Sequence, residues 1–270
     1  MNAVLDYSDA ALAVVKRDVL VFRSYRLRFF GTTISGFASV GMSYYISRLV
    51  DVRPFHTHDE YFAFAVVGLV IMQVLFATVG ALPGRVRQEL VAGTFERFVV
   101  SPFGATAGVV AMAMFPFVLS LVSATITVSF AAAAFGMPLR WETAPLAVPV
   151  AVVGCLSFAP FALLGATAVI FMKQAQTGLN FVVTGITFVA GFVFPIALLP
   201  GWIRWTSEAQ PFTPTVELLR NVLVATPIDG PLWLALLKIG LAAAVLLPFS
   251  IWLLGIGIRA SQRQGTIIEY

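Results

Sequence analysis

Six long runs of the sequence contain no Asp, Glu, Lys or Arg, and each is about as long as a helix that crosses a lipid bilayer. A transmembrane helix needs roughly 20 mostly apolar residues. Charged residues make up only 11% of the chain, compared with about 25% in soluble domains. The sequence therefore predicts an all-α integral membrane protein with six transmembrane helices, in a single domain over residues 1–270. The runs cover residues 29–47, 61–84, 103–139, 143–172, 174–203 and 239–258.

The positions of the basic residues predict the orientation of these helices. If both termini lie on one side of the membrane, that side carries eleven of the 17 Lys and Arg residues and the other side carries six. Loops rich in Lys and Arg stay in the cytoplasm. We therefore expect a multi-pass protein of the bacterial plasma (inner) membrane with both termini cytoplasmic. The net charge of +4 does not indicate nucleic acid, and the expected surroundings are the lipid bilayer.

Residues 11–28 have the pattern of a helix that lies in the membrane interface. Leu12, Val15, Val19 and Phe22 fall on one helical stripe, and basic side chains project from the other side. Amphipathic helices of this kind bury the apolar stripe at the boundary between headgroups and acyl chains. The alternative is an ordinary basic flank of the first transmembrane helix.

Residues 85–102, RVRQELVAGTFERFVVSP, form a charged segment between two apolar runs. Thr94 can cap a helix whose first turn carries Glu96. Phe95 and Phe98 would then be apolar contacts for the groove of a partner protein. The alternative is a solvated loop that contains a short surface helix.

The apolar runs carry no group suited to catalysis or ion coupling. Ion-coupled transporters usually place ionisable residues near the middle of the membrane, and the phosphate-binding pattern GxxxxGK[ST] does not occur. His56 and His58 lie beside two carboxylates in a short loop, which is weak support for a metal site. We predict no catalytic residue, no metal and no cofactor bound by this chain. A membrane-embedded enzyme and an ion-coupled secondary transporter remain remote alternatives.

The segment from Glu89 to Pro102 matches the pattern ExxxGT[LF]Ex[LF]xx[ST]P and resembles the cytoplasmic loop of permease subunits of ABC-2 type (type V) exporters. The resemblance implies that residues 85–102 are a coupling helix, which docks on a separate ATPase subunit. It also implies an extracellular hairpin over residues 195–230. The implied coupling residues are Glu89, Gly93, Thr94, Phe95, Glu96, Arg97 and Phe98. The implied extracellular gate consists of Pro195, Pro200, Pro211, Glu217 and Arg220.

The resemblance also implies how the working transporter is assembled. Two permease chains, expected to be identical, would pair with two copies of a cognate ABC ATPase, which binds ATP and Mg. In the family, the second and fifth transmembrane helices line the translocation path. Carried over to this chain, the candidate path residues are Phe64, Met72, Gln73, Phe76, Thr184, Phe188 and Phe192.

An uncharged, aromatic-rich path favours an amphiphilic or hydrophobic cargo. The chain resembles the drug-resistance (daunorubicin-type) permeases, which implies multidrug efflux by an ABC transporter. The alternative cargo is a lipid-linked polysaccharide or a lipid.

Overall fold

The fold comes from a computed structural model that describes residues 3–24, 26–50, 55–101, 103–172, 175–228 and 230–264. All regular structure in these residues is helical, which confirms the predicted all-α class. The α-helices are α1 (Ala3–Ser24), α2 (Arg26–Leu49), α3 (His58–Leu75), α4 (Ala81–Val91), α5 (Glu96–Val100), α6 (Ala105–Phe135), α7 (Ala147–Phe171), α8 (Ala175–Val189), α9 (Gly201–Ala209), α10 (Phe212–Val224) and α11 (Leu232–Gln264).

Four helical stretches are long and apolar enough to cross a membrane: His58–Val91, Ala105–Phe135, Ala144–Phe171 and Leu232–Arg263. The first of them joins α3 and α4 through a π-helical turn at Phe76–Gly80. With α2 and α8, which occupy the first and fifth predicted spans, these helices make the chain an integral membrane protein.

The fifth predicted span, residues 174–203, is not one continuous helix. Helix α8 has 15 residues, which gives a length of about 22 Å against a hydrocarbon core of about 30 Å. The chain then turns at Gly191, whose φ is +75°, a value that glycine adopts without steric cost. Pro195 follows this turn, before a short 3₁₀ turn at Ile196–Leu198. Pro195 therefore lies in the turn after α8, at the start of the segment predicted as an extracellular hairpin.

Local features of the sequence explain the ends of two other helices. The long run 103–139 contains α6, which ends at Gly136 in the left-handed conformation. Helix α3 begins at the N-cap Thr57, whose side chain accepts a hydrogen bond from the backbone N–H of Glu60. Pro116, Pro160 and Pro248 lie within long helices, where each removes one backbone donor.

Two buried clusters stabilise the two ends of the bundle. We call the end where the chain turns at residues 92–95 the elbow end, and the end that carries α9 and α10 the hairpin end. Helix α7 contributes to both clusters, with Phe158 in the cluster at the hairpin end and Ala166 in the cluster at the elbow end. The core therefore runs the length of the molecule along α7.

The N-terminal helix α1 covers most of the segment predicted to lie in the membrane interface, residues 11–28. It runs from Ala3 to Ser24 instead of over 11–28. Leu12 and Val19 are exposed, whereas Phe22 packs edge-on against Phe115 of α6. Asp18 is buried on the inward face, so α1 packs on the bundle through the side that carries Asp18 and Phe22.

Candidate functional sites at the two ends of the bundle

The elbow, residues 92–95, turns the chain sharply between α4 and α5. Gly93 adopts φ +65°, and the backbone N–H groups of Thr94 and Phe95 both donate to the carbonyl of Glu89, at 3.0 and 3.1 Å. A left-handed residue just after a helix brings these N–H groups back to its last carbonyls. The sequence AGT therefore ends α4 and sets the direction in which α5 leaves.

Glu89 connects the elbow to the N-terminal helix. Its carboxylate accepts hydrogen bonds from the hydroxyl of Thr94 and from Arg17 Nη1, the latter at 3.2 Å. The expectation that Thr94 caps the next helix is wrong, because the N-cap of α5 is Phe95 and it makes no side-chain cap bond. Thr94 instead bonds backwards to α4.

Asp18 is the centre of a second link at this end. This carboxylate is only 4% exposed and pairs with Arg85 at 2.7 Å and with Arg17 at 3.3 Å. Arg85 also donates to the carbonyl of Met112 at 2.9 Å. The link joins α1, α4 and α6. Sequence reasoning missed Asp18, although a single acidic residue in a basic segment could have indicated it.

Phe95 of the elbow and Phe98 of α5 both pack against the chain's own bundle. Phe95 is 1% exposed and lies in the buried cluster at the elbow end. Phe98 packs on Gly108, where a Cβ atom would lie 2.4 Å from the Phe98 ring. Arg17 lies 5.9 Å from the centre of the Phe98 ring. The expectation that these rings fill a groove in a partner is corrected, because they fix the elbow to its own bundle.

The outer side of this segment is a solvent-facing surface, which we call the elbow face. It combines exposed charges with two exposed valines, Val91 at 62% and Val100 at 81%. Pro102 lies outside the described residues. The elbow face consists of Arg87, Gln88, Val91, Ala92, Gly93, Glu96, Arg97 and Val100.

The candidate path residues do not form one surface in the single chain. Phe76, Thr184 and Phe188 are exposed. Gln73 is half-buried, and its amide donates to Ser123 Oγ at 3.1 Å.

The remaining path candidates lie near the hairpin end. Met72 and Phe192 line a cavity of about 140 Å³. Phe64 and Phe192 are themselves buried, and both contact Arg220.

Arg220, which was predicted as part of an extracellular gate, lies inside the protein and is 4% exposed. Its guanidinium donates to the carbonyls of Gly191 at 2.8 Å, Phe192 at 2.9 Å and Phe64 at 3.3 Å, and it lies 3.4 Å from the centre of the Phe64 ring. Gly68 permits this approach, because a Cβ atom there would lie 1.8 Å from the Phe192 carbonyl. Arg220 therefore fixes α10 to the turn after α8 and to α3.

The other predicted gate residues lie around the same hairpin. Pro200 and Pro211 are the N-cap residues of α9 and α10, and Pro195 precedes the 3₁₀ turn. Glu217 is half-buried and lines a cavity next to α11. These residues thus shape the turns of the hairpin, whereas Arg220 anchors it.

No group of three or more His, Cys, Asp or Glu side chains suited to a metal ion occurs in the described residues. Residues 12–224 match the sequence model of a family described as ABC-2 type transporter. The matched range extends from α1 through the elbow to the last residue of α10. No curated protein matches the chain.

Proposed function

We propose that this chain, which belongs to the ABC-2 type transporter family, is the transmembrane permease subunit of an ATP-driven exporter. The family makes it a membrane component that associates with an ABC ATPase and is not itself the catalyst. The proposal adds the direction of transport, the source of energy and the class of cargo.

The elbow face is the observation that carries the proposal. It offers a partner two exposed valines and several charges, on a segment whose other side is fixed to α1, α4 and α6. A partner that moves this surface must move the helices behind it, since the inner rings and ion pairs hold the elbow to them. Glu89, Thr94, Phe95 and Phe98 would transmit the movement, while Glu96 and Arg97 would contact the ATPase.

The continuous helix from His58 to Val91 provides a route from the elbow towards the cargo. Arg220 contacts this helix at Phe64, which lies roughly 40 Å from Val91 at 1.5 Å rise per residue. In the proposed cycle, ATP closes the ATPase pair and displaces both elbow faces. The α3–α4 helix then shifts against α6 and α7, and the hairpin end opens.

The proposed assembly contains two copies of this chain and two ATPase subunits, which bind ATP and Mg. The exposed phenylalanines of α8 and the exposed apolar residues of α2 are available to a second copy or to lipid. The elbow end would face the cytoplasm of a bacterial cell, because the basic residues are concentrated there.

The proposed cargo is an amphiphilic or hydrophobic, drug-like molecule taken from the cytoplasm or the inner leaflet. The apolar character of Met72, Phe76 and Phe188 supports it, since such side chains offer no charge to a polar substrate. A lipid-linked polysaccharide or lipid is the second candidate, because aromatic side chains also stack against sugar rings.

Site-specific photo-crosslinking in membranes of the source cells tests the proposal. A photoreactive residue at Val100 should capture a protein that carries a nucleotide-binding domain and is retained by immobilised ATP. The matched control is a photoreactive residue at Trp141, which is 72% exposed. Trp141 lies near the hairpin end, because the side chain of Thr143, two residues later, donates a hydrogen bond to the carbonyl of Val222 in α10. Capture of the same ATPase from both positions, or from neither, would contradict the assignment of the elbow face.

A further inference from the structure

Helix α9 carries two large aromatic side chains that the single chain leaves uncovered. Trp202 is 75% exposed and Trp205 is 65% exposed. They lie three residues apart, so they share one face of the helix. Ser207 lies on the opposite side, where it is buried and its hydroxyl donates to the carbonyl of Val189 at 2.7 Å. Helix α9 therefore packs on the end of α8 through one side and directs both tryptophans outwards. We call this outward side the tryptophan face.

The surface of α9 beside the tryptophan face is amphipathic. Arg204 and Glu208 are exposed and lie one turn apart on one flank, whereas Ile203 and Thr206 on the other flank are half-buried. At about 100° per residue, the side chain that falls between the two tryptophans is Ala209. A helix with an apolar aromatic face and a charged flank suits the boundary between acyl chains and water.

The attachments of α9 place it at the level where two membrane helices end. Helix α8 has 15 residues, or about 22 Å against a hydrocarbon core of about 30 Å, so α9 is fixed to a helix that does not exceed the core. Near the other end of α9, the carbonyl of Glu208 accepts a hydrogen bond from Lys238 at 3.5 Å. Lys238 lies about 9 Å along α11 from its first residue, Leu232. Both contacts hold α9 close to the hydrocarbon boundary.

The tryptophan face continues the exposed apolar surface of the neighbouring helices. Trp233 and Leu237 at the start of α11 are exposed, as are Leu198 just before α9 and Phe188 near the end of α8. Contiguous apolar surface of this kind marks a membrane or a protein partner. Tryptophan is enriched at the headgroup level, because its ring is apolar and its N–H needs a polar acceptor. The composition of the face therefore favours lipid over a second copy of the chain.

We propose that the tryptophan face of α9 binds lipid at the headgroup level of the leaflet at the hairpin end. The indole rings would lie among the first carbons of the acyl chains, with Arg204 and Glu208 towards the water. Because Arg220 fixes α10 to α3, the hairpin would be held by protein through α10 and by lipid through α9. The proposal does not depend on the exporter function, since the membrane class of the chain stands on its helices.

Tryptophan fluorescence of the purified full chain in lipid vesicles tests the proposal. The chain has five tryptophans, and a reporter variant would keep Trp202 and Trp205 and carry phenylalanine at the other three positions. Bromine on an acyl chain quenches an indole ring that it contacts. We expect the reporter to lose more fluorescence in phosphatidylcholine brominated near the glycerol end of its chains than in phosphatidylcholine brominated near the chain ends. Iodide in the water should quench it weakly.

Trp252 provides the matched control, because it is exposed and lies within the uncharged part of α11, residues 239–258. A variant that keeps only Trp252 should show the reverse order, with more loss to bromine near the chain ends. Weak quenching of the reporter by both lipids would show that protein covers the tryptophan face and would overturn the proposal. Strong quenching by iodide, or the same order of quenching as Trp252, would also overturn it.

A spin label gives a second measurement that keeps all five tryptophans. Ala209→Cys in a Cys155→Ser background places the label between Trp202 and Trp205. It should collide more often with oxygen, which dissolves in the bilayer, than with a water-soluble nickel chelate. Glu142→Cys, at an exposed position between α6 and α7, should give the opposite order. Low accessibility of the label at residue 209 to both reagents, or higher accessibility to the chelate, would contradict a lipid contact.

Discussion

Arg220 stabilises a part of the chain that cannot form regular backbone hydrogen bonds. The carbonyls of Gly191 and Phe192 follow α8 in a turn, and neither accepts a backbone hydrogen bond within the described residues. The guanidinium supplies both bonds from one planar group, a geometry that a lysine ammonium does not reproduce. Its Nε atom is buried without a partner, so the side chain is used only through its two Nη groups.

Arg220→Met should destabilise the protein by about 2–4 kcal/mol, because two buried carbonyls lose their donors at about 1–3 kcal/mol each. Arg220→Lys should give an intermediate loss. The measurement is the thermal unfolding midpoint in detergent, with Arg140→Met as an exposed control. Unchanged stability in Arg220→Met would show that water replaces the guanidinium and that the residue does not anchor the hairpin.

The residues at the elbow show which features the sequence can predict. The turn at Gly93 has a local cause, because a left-handed glycine after a helix is a requirement of the neighbouring backbone alone. The inward direction of Phe95 was not predictable, since it depends on the angle at which α5 leaves the turn and on the space above Gly108. Phe95→Ala is therefore a change in the core as well as in the elbow.

At the scale of the helices, the π turn at Phe76–Gly80 sets the rotation of α4 relative to α3. It adds one residue to a helical turn, and the side chains beyond it are rotated accordingly. This rotation of α4 is what directs Arg85 and Glu89 towards α1. The apolar run 61–84 gave no sign of the turn, because its composition suits an α-helix and a π turn equally.

Deletion of Ala77 should convert the π turn to regular α-helix without rotating α4, because it removes the one extra residue that the wider turn holds. Arg85 would then still face Asp18, and the elbow face would keep its place relative to α1. Spin labels at the exposed positions Lys16 and Arg87, in a Cys155→Ser background, should therefore give the distance distribution of the full-length sequence with the same labels. A clearly shifted distribution would show that the π turn does not set the rotation of α4.

The short helix α8 shows why the fifth span differed from expectation. Residues 174–203 were predicted as one transmembrane helix because they contain no charged residue. Gly191 and Arg220 together favour a turn instead, since the glycine permits the left-handed backbone and the arginine pairs with the exposed carbonyls. Arg220 is 29 residues away in sequence, so no local pattern could reveal this contact.

At the scale of the whole molecule, the two ends of the bundle have different hydrogen-bond chemistry. Ion pairs connect α1 to α4 at the elbow end, and Arg85 also donates to a carbonyl of α6, whereas one guanidinium binds backbone carbonyls at the hairpin end. The sequence predicted the membrane class, because apolar runs are a property of local composition. It did not predict Asp18 or the carbonyl contacts, which exist only after distant helices pack.

Glu89→Gln should separate ATP hydrolysis from transport in the assembled transporter. The amide still accepts a bond from Thr94 but loses its charge pairing with Arg17, and because Arg17 is 45% exposed, the stability should change by less than about 1 kcal/mol. A movement of the elbow caused by the ATPase would then displace α1 less, because the ion pair that connects α4 to α1 is lost. We expect ATP-dependent uptake of a fluorescent anthracycline into inverted vesicles to fall about tenfold, with ATP hydrolysis largely retained.

Glu142→Gln, an exposed change near the hairpin, should alter neither activity. Equal losses of hydrolysis and uptake would mean that Glu89 holds the ATPase in place and does not transmit its movement.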